Sequence, residues 1–242
     1  MAGGVVYWRY TVKNKNRDDM KPQNIVLLGP PGSGKSTQAD LLTKQNPLVH
    51  IDTGAVLRML AKQDTPLGRK LDDILNIQKE LVSDEVIREA YADVMTHIRE
   101  DQGLLIDGAP RRMSQIQQVE EAIAVQGRVI DKVIYIHVSE KTSIDRIATR
   151  FSCTRCKITL VITKEEQESH SMKCRNCGKD LEQRADDTPE GVRKRLEVFE
   201  EETLPVIQYF MMQGKLLQVD GSRPMEEIYQ TIIEGIFPKE EV

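Results

Sequence analysis

Long apolar runs are missing from this sequence. No stretch approaches the ~18 consecutive apolar residues that cross a bilayer, and no apolar signal-peptide core opens the chain. A one-sided charge is missing too. The 34 basic and 38 acidic residues leave a net charge of −4, so composition offers no pull toward a nucleic-acid backbone. Cysteine is absent from most of the chain, all four copies falling between Cys153 and Cys177. That rules out a disulfide framework spread through the fold and hints at one local metal site. Internal repeats and low-complexity tracts are also lacking. The expectation is a soluble, cytoplasmic protein with no membrane or nucleic-acid partner.

The 242 residues, 39% of them hydrophobic, suit one α/β core with small inserts. Residues 1–22 hold Tyr7, Trp8 and Tyr10 and then a basic, polar stretch, which reads as an extension outside the fold. From residue 23 onward, short apolar runs alternate with helical patterns. The runs lie at 25–28, 48–51, 104–107, 132–138 and 215–219. Near-continuous apolar runs separated by helices predict a five-stranded, doubly wound parallel sheet buried on both faces. Two segments break the alternation. Residues 53–82 read as several short helices with no strand, and residues 151–186 hold the cysteines. The helix after the second insert starts at Thr188 as cap and Pro189 as first helical residue, and Gly214 closes that helical region.

GPPGSGKS, Gly29 to Ser36, follows the first apolar run and precedes a helical pattern. This is the G-x-x-x-x-G-K-[ST] loop in the context it requires. Its glycines let backbone N–H groups converge on phosphates, and the helix N-terminus adds partial positive charge. Gly32, Ser33, Gly34, Lys35, Ser36 and Thr37 are therefore candidate ATP contacts, with Lys35 reaching the terminal phosphates and Ser36 lying near Mg²⁺. Asp107, at the end of LLID, is a second Mg²⁺ candidate; a helix-cap or turn role is its alternative. The loop alone specifies a nucleoside triphosphate and little else.

The two C-x₂-C knuckles, Cys153/Cys156 and Cys174/Cys177, stand seventeen residues apart. Each can turn two thiolates toward one tetrahedral ion, which points to Zn²⁺; four protein ligands leave no open position, so its role is structural. Gly178 suits the knuckle turn. An iron site or redox dithiols are the alternatives. His170, away from both knuckles, reads as a surface residue.

The segments IDTGAVLR, LVSDE, LLIDGAPR and Gln115, followed by DRIATR, RADD, VRKRL and VDGSRP, resemble the adenylate kinase family in order and spacing over residues 24–235. The resemblance implies a long form with a zinc-bearing lid, acting as a monomeric phosphotransferase on ATP, AMP and ADP in nucleotide biosynthesis. It implies that Arg58 and Arg111 hold the AMP phosphate while Arg150, Arg184 and Arg195 clamp the transferring phosphoryl group; Arg184 and Arg195 border AMP as well. Arg146 and Arg223 would flank the ATP adenine, and Thr159 with Leu160 would touch ATP from the lid. Thr53, Gly54, Leu81, Val82, Gly108, Pro110 and Gln115 would surround AMP, with Pro110 in a cis peptide bond. Arginine suits such duty because it stays charged and grips phosphate bidentately. Gln115 offers the donor and acceptor that an adenine edge needs, an exposed helix position being its alternative.

Ala55, Ala109 and Arg112 depart from the family pattern, which usually has aspartate, an aromatic and a small polar residue there. They leave UMP, CMP or GMP open as the acceptor. A zinc-ribbon nucleic-acid module joined to an ATPase is the reading from another class; the scarcity of aromatic stacking platforms in the cysteine insert argues against it.

Overall fold

The computed structural model describes residues 23–74, 82–156, 158–163, 166–167, 172–183 and 187–237. The extension 1–22 and the candidates Leu81, Arg184 and His170 lie outside the described residues.

Strand β1 (Asn24–Leu28) sits at the centre of a five-stranded parallel sheet. Around it lie β2 (Leu48–Asp52), β3 (Gly103–Asp107), β4 (Lys132–His137) and β7 (Leu216–Asp220), in the order β2-β3-β1-β4-β7. All five predicted strands are present, each within a residue of its apolar run. The reason is visible in β1. Ile25 and Leu27 pack with Ala39 and Leu42 of α1 (Lys35–Gln45) and Ile228, Ile232 and Ile236 of α9 (Met225–Ile236). Val26 and Leu28 face the other way, into the layer formed by α2 (Thr53–Leu60), α3 (Pro66–Asp72), α4 (Asp84–Met95), α5 (Met113–Ala124) and α8 (Leu204–Met212). Both faces are covered, so period-2 alternation is lost and the run reads as continuously apolar. Each buried Ile or Leu contributes about 1.5–3 kcal/mol, making the sheet a rigid base for the loops at its C-terminal edge.

Helix α6 (Glu140–Ala148) leads into the cysteine segment, where β5 (Arg150–Cys153) and β6 (Ile158–Val161) form an antiparallel pair. Among the described residues its apolar cluster has five buried members: Phe151, Cys153, Ile162, Cys174 and Leu181. Helix α7 (Pro189–Val198) then begins as the sequence predicts, Thr188 Oγ1 accepting from the Gly191 N–H at 3.1 Å. It continues through a π turn (Phe199–Thr203) into α8, after which Gly214 takes a left-handed φ of +66°. Between residues 53 and 82 the described elements are helical. Among the described residues, no helix is long and apolar enough to cross a membrane.

Candidate functional site

The phosphate loop fills the gap between β1 and α1. Gly32 adopts φ +76°, and a Cβ there would come within 2.9 Å of the Ser143 carbonyl, so any larger residue would be strained and crowded. The loop is held from α6: Ser143 Oγ donates to the Pro31 carbonyl at 2.7 Å, and Arg146 Nη1 reaches the Gly32 carbonyl at 3.4 Å. Gly34 caps α1, Ser33 is buried, and Ser36 and Thr37 are exposed at the first turn. That turn contains no acidic residue, which leaves its N–H groups and partial positive charge suited to an anion. Lys35 Nζ donates to the carbonyls of Gly29 (2.6 Å) and Pro30 (3.0 Å) and to Ser33 Oγ (3.3 Å). Burial lowers its pKa from 10.5 to about 8; Asp107 opposes that shift, and Arg111 and Arg150 add to it.

Two carboxylates end neighbouring strands in register, Asp52 on β2 and Asp107 on β3. Asp52 Oδ1 caps α2 by accepting from the Ala55 N–H at 2.9 Å. Asp107 is buried, with His50 Nε2 3.6 Å from Oδ2. Thr53 is also buried, and its hydroxyl is engaged within the protein. Thr53 Oγ1 donates to the Asp107 carbonyl at 2.8 Å and lies 2.7 Å from Tyr91 Oη. Burial pushes the Tyr91 phenol well above its ordinary range. Arg58, exposed in the last turn of α2, lies over Gly54: Nη1 would be 3.0 Å from a Cβ at that position. Val82 is packed into the core.

After β3 the chain turns through Gly108 and a cis Ala109–Pro110 bond. Arg111 Nε donates to the Gly108 carbonyl at 2.9 Å. Its backbone is gripped on both sides of the Cα, the N–H by Gln115 Oε1 at 2.8 Å and the carbonyl by Thr203 Oγ1 at 3.0 Å. Gln115 is buried, not exposed, and this bond occupies its acceptor while Nε2 remains the donor end.

Arg150 and Arg195 meet on one carboxylate. Arg150 Nη2 and Nε donate to Asp187 Oδ1 and Oδ2 at 2.6 and 3.1 Å, and Arg195 Nη2 donates to Oδ1 at 2.9 Å. The Asp187 side chain is 1% exposed. Arg223 is exposed, 3.9 Å from Asp220 at the end of β7, and Thr159 is exposed on β6. Asp187, Tyr91 and Thr203 were not singled out from the sequence. Asp187 stands inside the RADD segment, where an acid following an arginine was the available signal; the other two carried none.

The four cysteine Sγ atoms lie within 4.8 Å of one another. Cys153 and Cys177 are 3.5 Å apart, Cys156 and Cys174 3.8 Å. The Cys156 N–H donates to Cys153 Sγ at 3.3 Å, as a knuckle turn requires. Both knuckles predicted from the sequence therefore close on one centre able to hold a metal ion.

A parallel sheet with a glycine loop on its central strand, and with arginines from two further segments, Arg111 and Arg150, acting on that loop's lysine, defines a phosphate-loop phosphotransferase. The family model described as adenylate kinase matches residues 27–215. An adenylate kinase of Syntrophomonas wolfei is 37% identical over 88% of this chain and 98% of its own length. Those of Fervidobacterium nodosum (36%; 89% and 99%) and Alkaliphilus oremlandii (35%; 88% and 97%) are similar over comparable spans. The chain belongs to the adenylate kinase family.

Proposed function

We propose that the protein catalyses the reversible transfer of a phosphoryl group from Mg·ATP to AMP, giving two ADP. One observation carries this reading: Asp107, Arg111 and Arg150 all act electrostatically on Lys35, so the donor loop shares its field with cations from two other segments. Joining two polyanions needs such a cluster, and the relatives named adenylate kinase act within the same family.

In this reading Lys35 and the α1 N-terminus hold the ATP phosphates. Arg146 and Arg223 flank its adenine, and Thr159 closes on it from the lid. Arg58 and Arg111 hold the AMP phosphate, and Thr53, Gln115, Leu81 and Val82 border its base. Arg150, Arg184 and Arg195 stabilise the transferring group. The attacking oxygen belongs to a phosphate that is already ionised, so no general base is required. The rate comes from alignment and preorganised charge, with water kept out. Hard oxygen donors suit Mg²⁺, and Ser36 with buried Asp107 beside Lys35 supplies them. Bound there with ATP, Mg²⁺ would neutralise phosphate charge.

The thiolate set fits Zn²⁺. Zn–S bonds of about 2.3 Å in a tetrahedron give S···S edges of about 3.8 Å, close to the 3.5 and 3.8 Å separations. Four ligands close the site, so the ion replaces the core that this small segment lacks. Free thiolate ligands fit a reducing compartment, the cytoplasm.

The deciding assay mixes protein, ATP, Mg²⁺ and one of AMP, UMP, CMP or GMP. ADP formation that depends on AMP is expected, and a clear preference for another monophosphate would overturn the AMP assignment. Chelation should unfold the lid segment and raise the KM for ATP while the sheet stays folded. Loss of turnover with the lid still folded would instead make the metal catalytic.

A further inference from the structure

From Pro189 to Met212 the chain runs as one helical rod, α7 and α8 joined by the π turn. That turn is closed by the Leu204 N–H on the Phe199 carbonyl. An i→i+5 turn holds one residue more than an α-turn. Everything after it is rotated by about 100° relative to an uninterrupted helix, and such turns are frequent at functional sites. Here the last two residues of the turn are used together. Thr203 Oγ1 donates to the Arg111 carbonyl at 3.0 Å, and Glu202 Oε2 lies 3.6 Å from Arg112 Nε. Thr203 is buried, and Arg112 Nε is shut off from solvent and makes no hydrogen bond among the described residues, so the Glu202 carboxylate at 3.6 Å balances its charge without a hydrogen bond. Eight residues earlier on the same rod, Arg195 is bound to Asp187 together with Arg150.

We propose that Glu202 and Thr203 are positioning residues for Arg111. They pin the Arg111–Arg112 turn to the rod that carries Arg195, so that the arginine facing the acceptor phosphate stays in register with those facing the transferred group. The proposal rests on reading Arg111 as an acceptor-phosphate ligand. Its physical reason is the exposure of the Arg111 side chain. Its guanidinium is held by the bond from Nε to the Gly108 carbonyl. The direction of a long, flexible side chain then depends on the orientation of its own peptide, fixed at one end by Gln115 and at the other by Thr203. A misplacement of about 1 Å at a reacting centre can cost ~10²-fold in rate. Arg112, which departs from the family pattern, adds a charged latch to the hydroxyl.

The test separates positioning from ordinary packing by comparing the two substrates' KM values well below the melting temperature. Thr203→Val keeps the shape and loses the hydroxyl. It should raise the KM for AMP at least about fivefold while the KM for ATP stays within about twofold, and Thr203→Ser should restore both. Arg112→Glu and Glu202→Arg should each raise the KM for AMP, and the swapped pair should recover most of the loss. Equal AMP KM values for Thr203→Val and Thr203→Ser, or KM values for both nucleotides rising together, would overturn the proposal. If Thr203→Val does not fold, the swap of the half-exposed Arg112 and Glu202 decides the matter: no recovery counts against it. The unaltered protein tests the underlying reading separately. ADP formed from AMP with no KM split in the variants sinks only the inference. If another monophosphate is the acceptor, the same KM comparison on that nucleotide decides. Failure to phosphorylate any monophosphate sinks both.

Discussion

In the half of the site proposed to take the donor nucleotide, cations are held by groups that protein burial has made expensive to release, and the other half is the one proposed to take the acceptor. Lys35 sits on two loop carbonyls and a serine hydroxyl, and Arg150 and Arg195 share Asp187, a carboxylate only 1% exposed. In the acceptor half, Arg58 lies exposed over Gly54, and Arg111 is aimed through its backbone. The donor side is thus preorganised by charge pairing in low dielectric, the acceptor side by backbone geometry. Charge pairing fixes a guanidinium whether or not a nucleotide is bound. An exposed arginine held at its backbone and by a single Nε bond can adapt to the phosphate it meets. The donor half should therefore respond to the loss of single charges in rate, and the acceptor half in affinity.

The largest break in that contrast is Lys35→Ala. It removes a donor-half cation whose field reaches both Arg111 and Arg150, and turnover should fall by about 10³-fold or more at saturating nucleotides. The sheet should keep its melting temperature, since Lys35 belongs to the loop rather than to either apolar layer. Near-normal turnover in this variant would remove the loop from the chemistry.

Asp187→Asn is the next smaller break. The amide keeps the shape but leaves Arg150 and Arg195, each about a quarter exposed, without a shared counter-charge. Turnover should drop by about 10- to 100-fold, with a smaller rise in the KM for AMP, which Arg195 also borders. Partial exposure of both guanidiniums limits the stability cost to about 1–2 kcal/mol, below that of breaking a fully buried pair. Denaturant unfolding alongside steady-state kinetics checks both parts. A change in AMP affinity alone would mean that the donor and acceptor sets are not distinguished in this way.

Much of this was legible before the fold was known. The five strands could be read because burial on both faces turns each into an apolar run, and the phosphate loop because its glycines and lysine must be contiguous. The cysteine knuckles were legible for the same reason, since each is a local turn. The β5–β6 pair was not foreseen: of its four-residue strands, β5 alternates half-buried with buried positions and β6 half-buried with exposed ones around a tiny cluster, leaving no run to detect. Asp187 was missed because its importance lies in contact with Arg150, 37 residues away. Tyr91 meets Thr53 across 38 residues. Pairings at that range are set by the sheet order, which no local pattern encodes. The engagement of Thr53 with Asp107 was hidden for the same reason, whereas the Gln115 acceptor is taken by Arg111 only four residues away, a turn contact that leaves no mark in the apolar pattern.

The finest test of the contrast is pH. Burial brings Lys35 to about 8, and the unfolded chain keeps the ordinary 10.5. Between those values the unfolded chain holds a proton that the folded protein has released, so this group makes stability rise with pH there. Below about 8 the cost of burying the charge is fully present. Nucleotide binding has the opposite sign, because ATP phosphates need the ammonium form. Above pH 8 the protein must take up a proton to bind ATP, and affinity should weaken by up to about tenfold per unit. Arg58 and Arg111 stay charged throughout this range, and the AMP phosphate is already doubly ionised, so AMP affinity should be nearly flat. Titrating each nucleotide separately between pH 7 and 9.5 should show a bend near 8 for ATP only. Lys35→Arg, which keeps its charge, should remove that bend. Parallel slopes for the two nucleotides would show that Lys35 serves both halves equally, and the division between a charge-paired donor side and a backbone-aimed acceptor side would have to be redrawn around it.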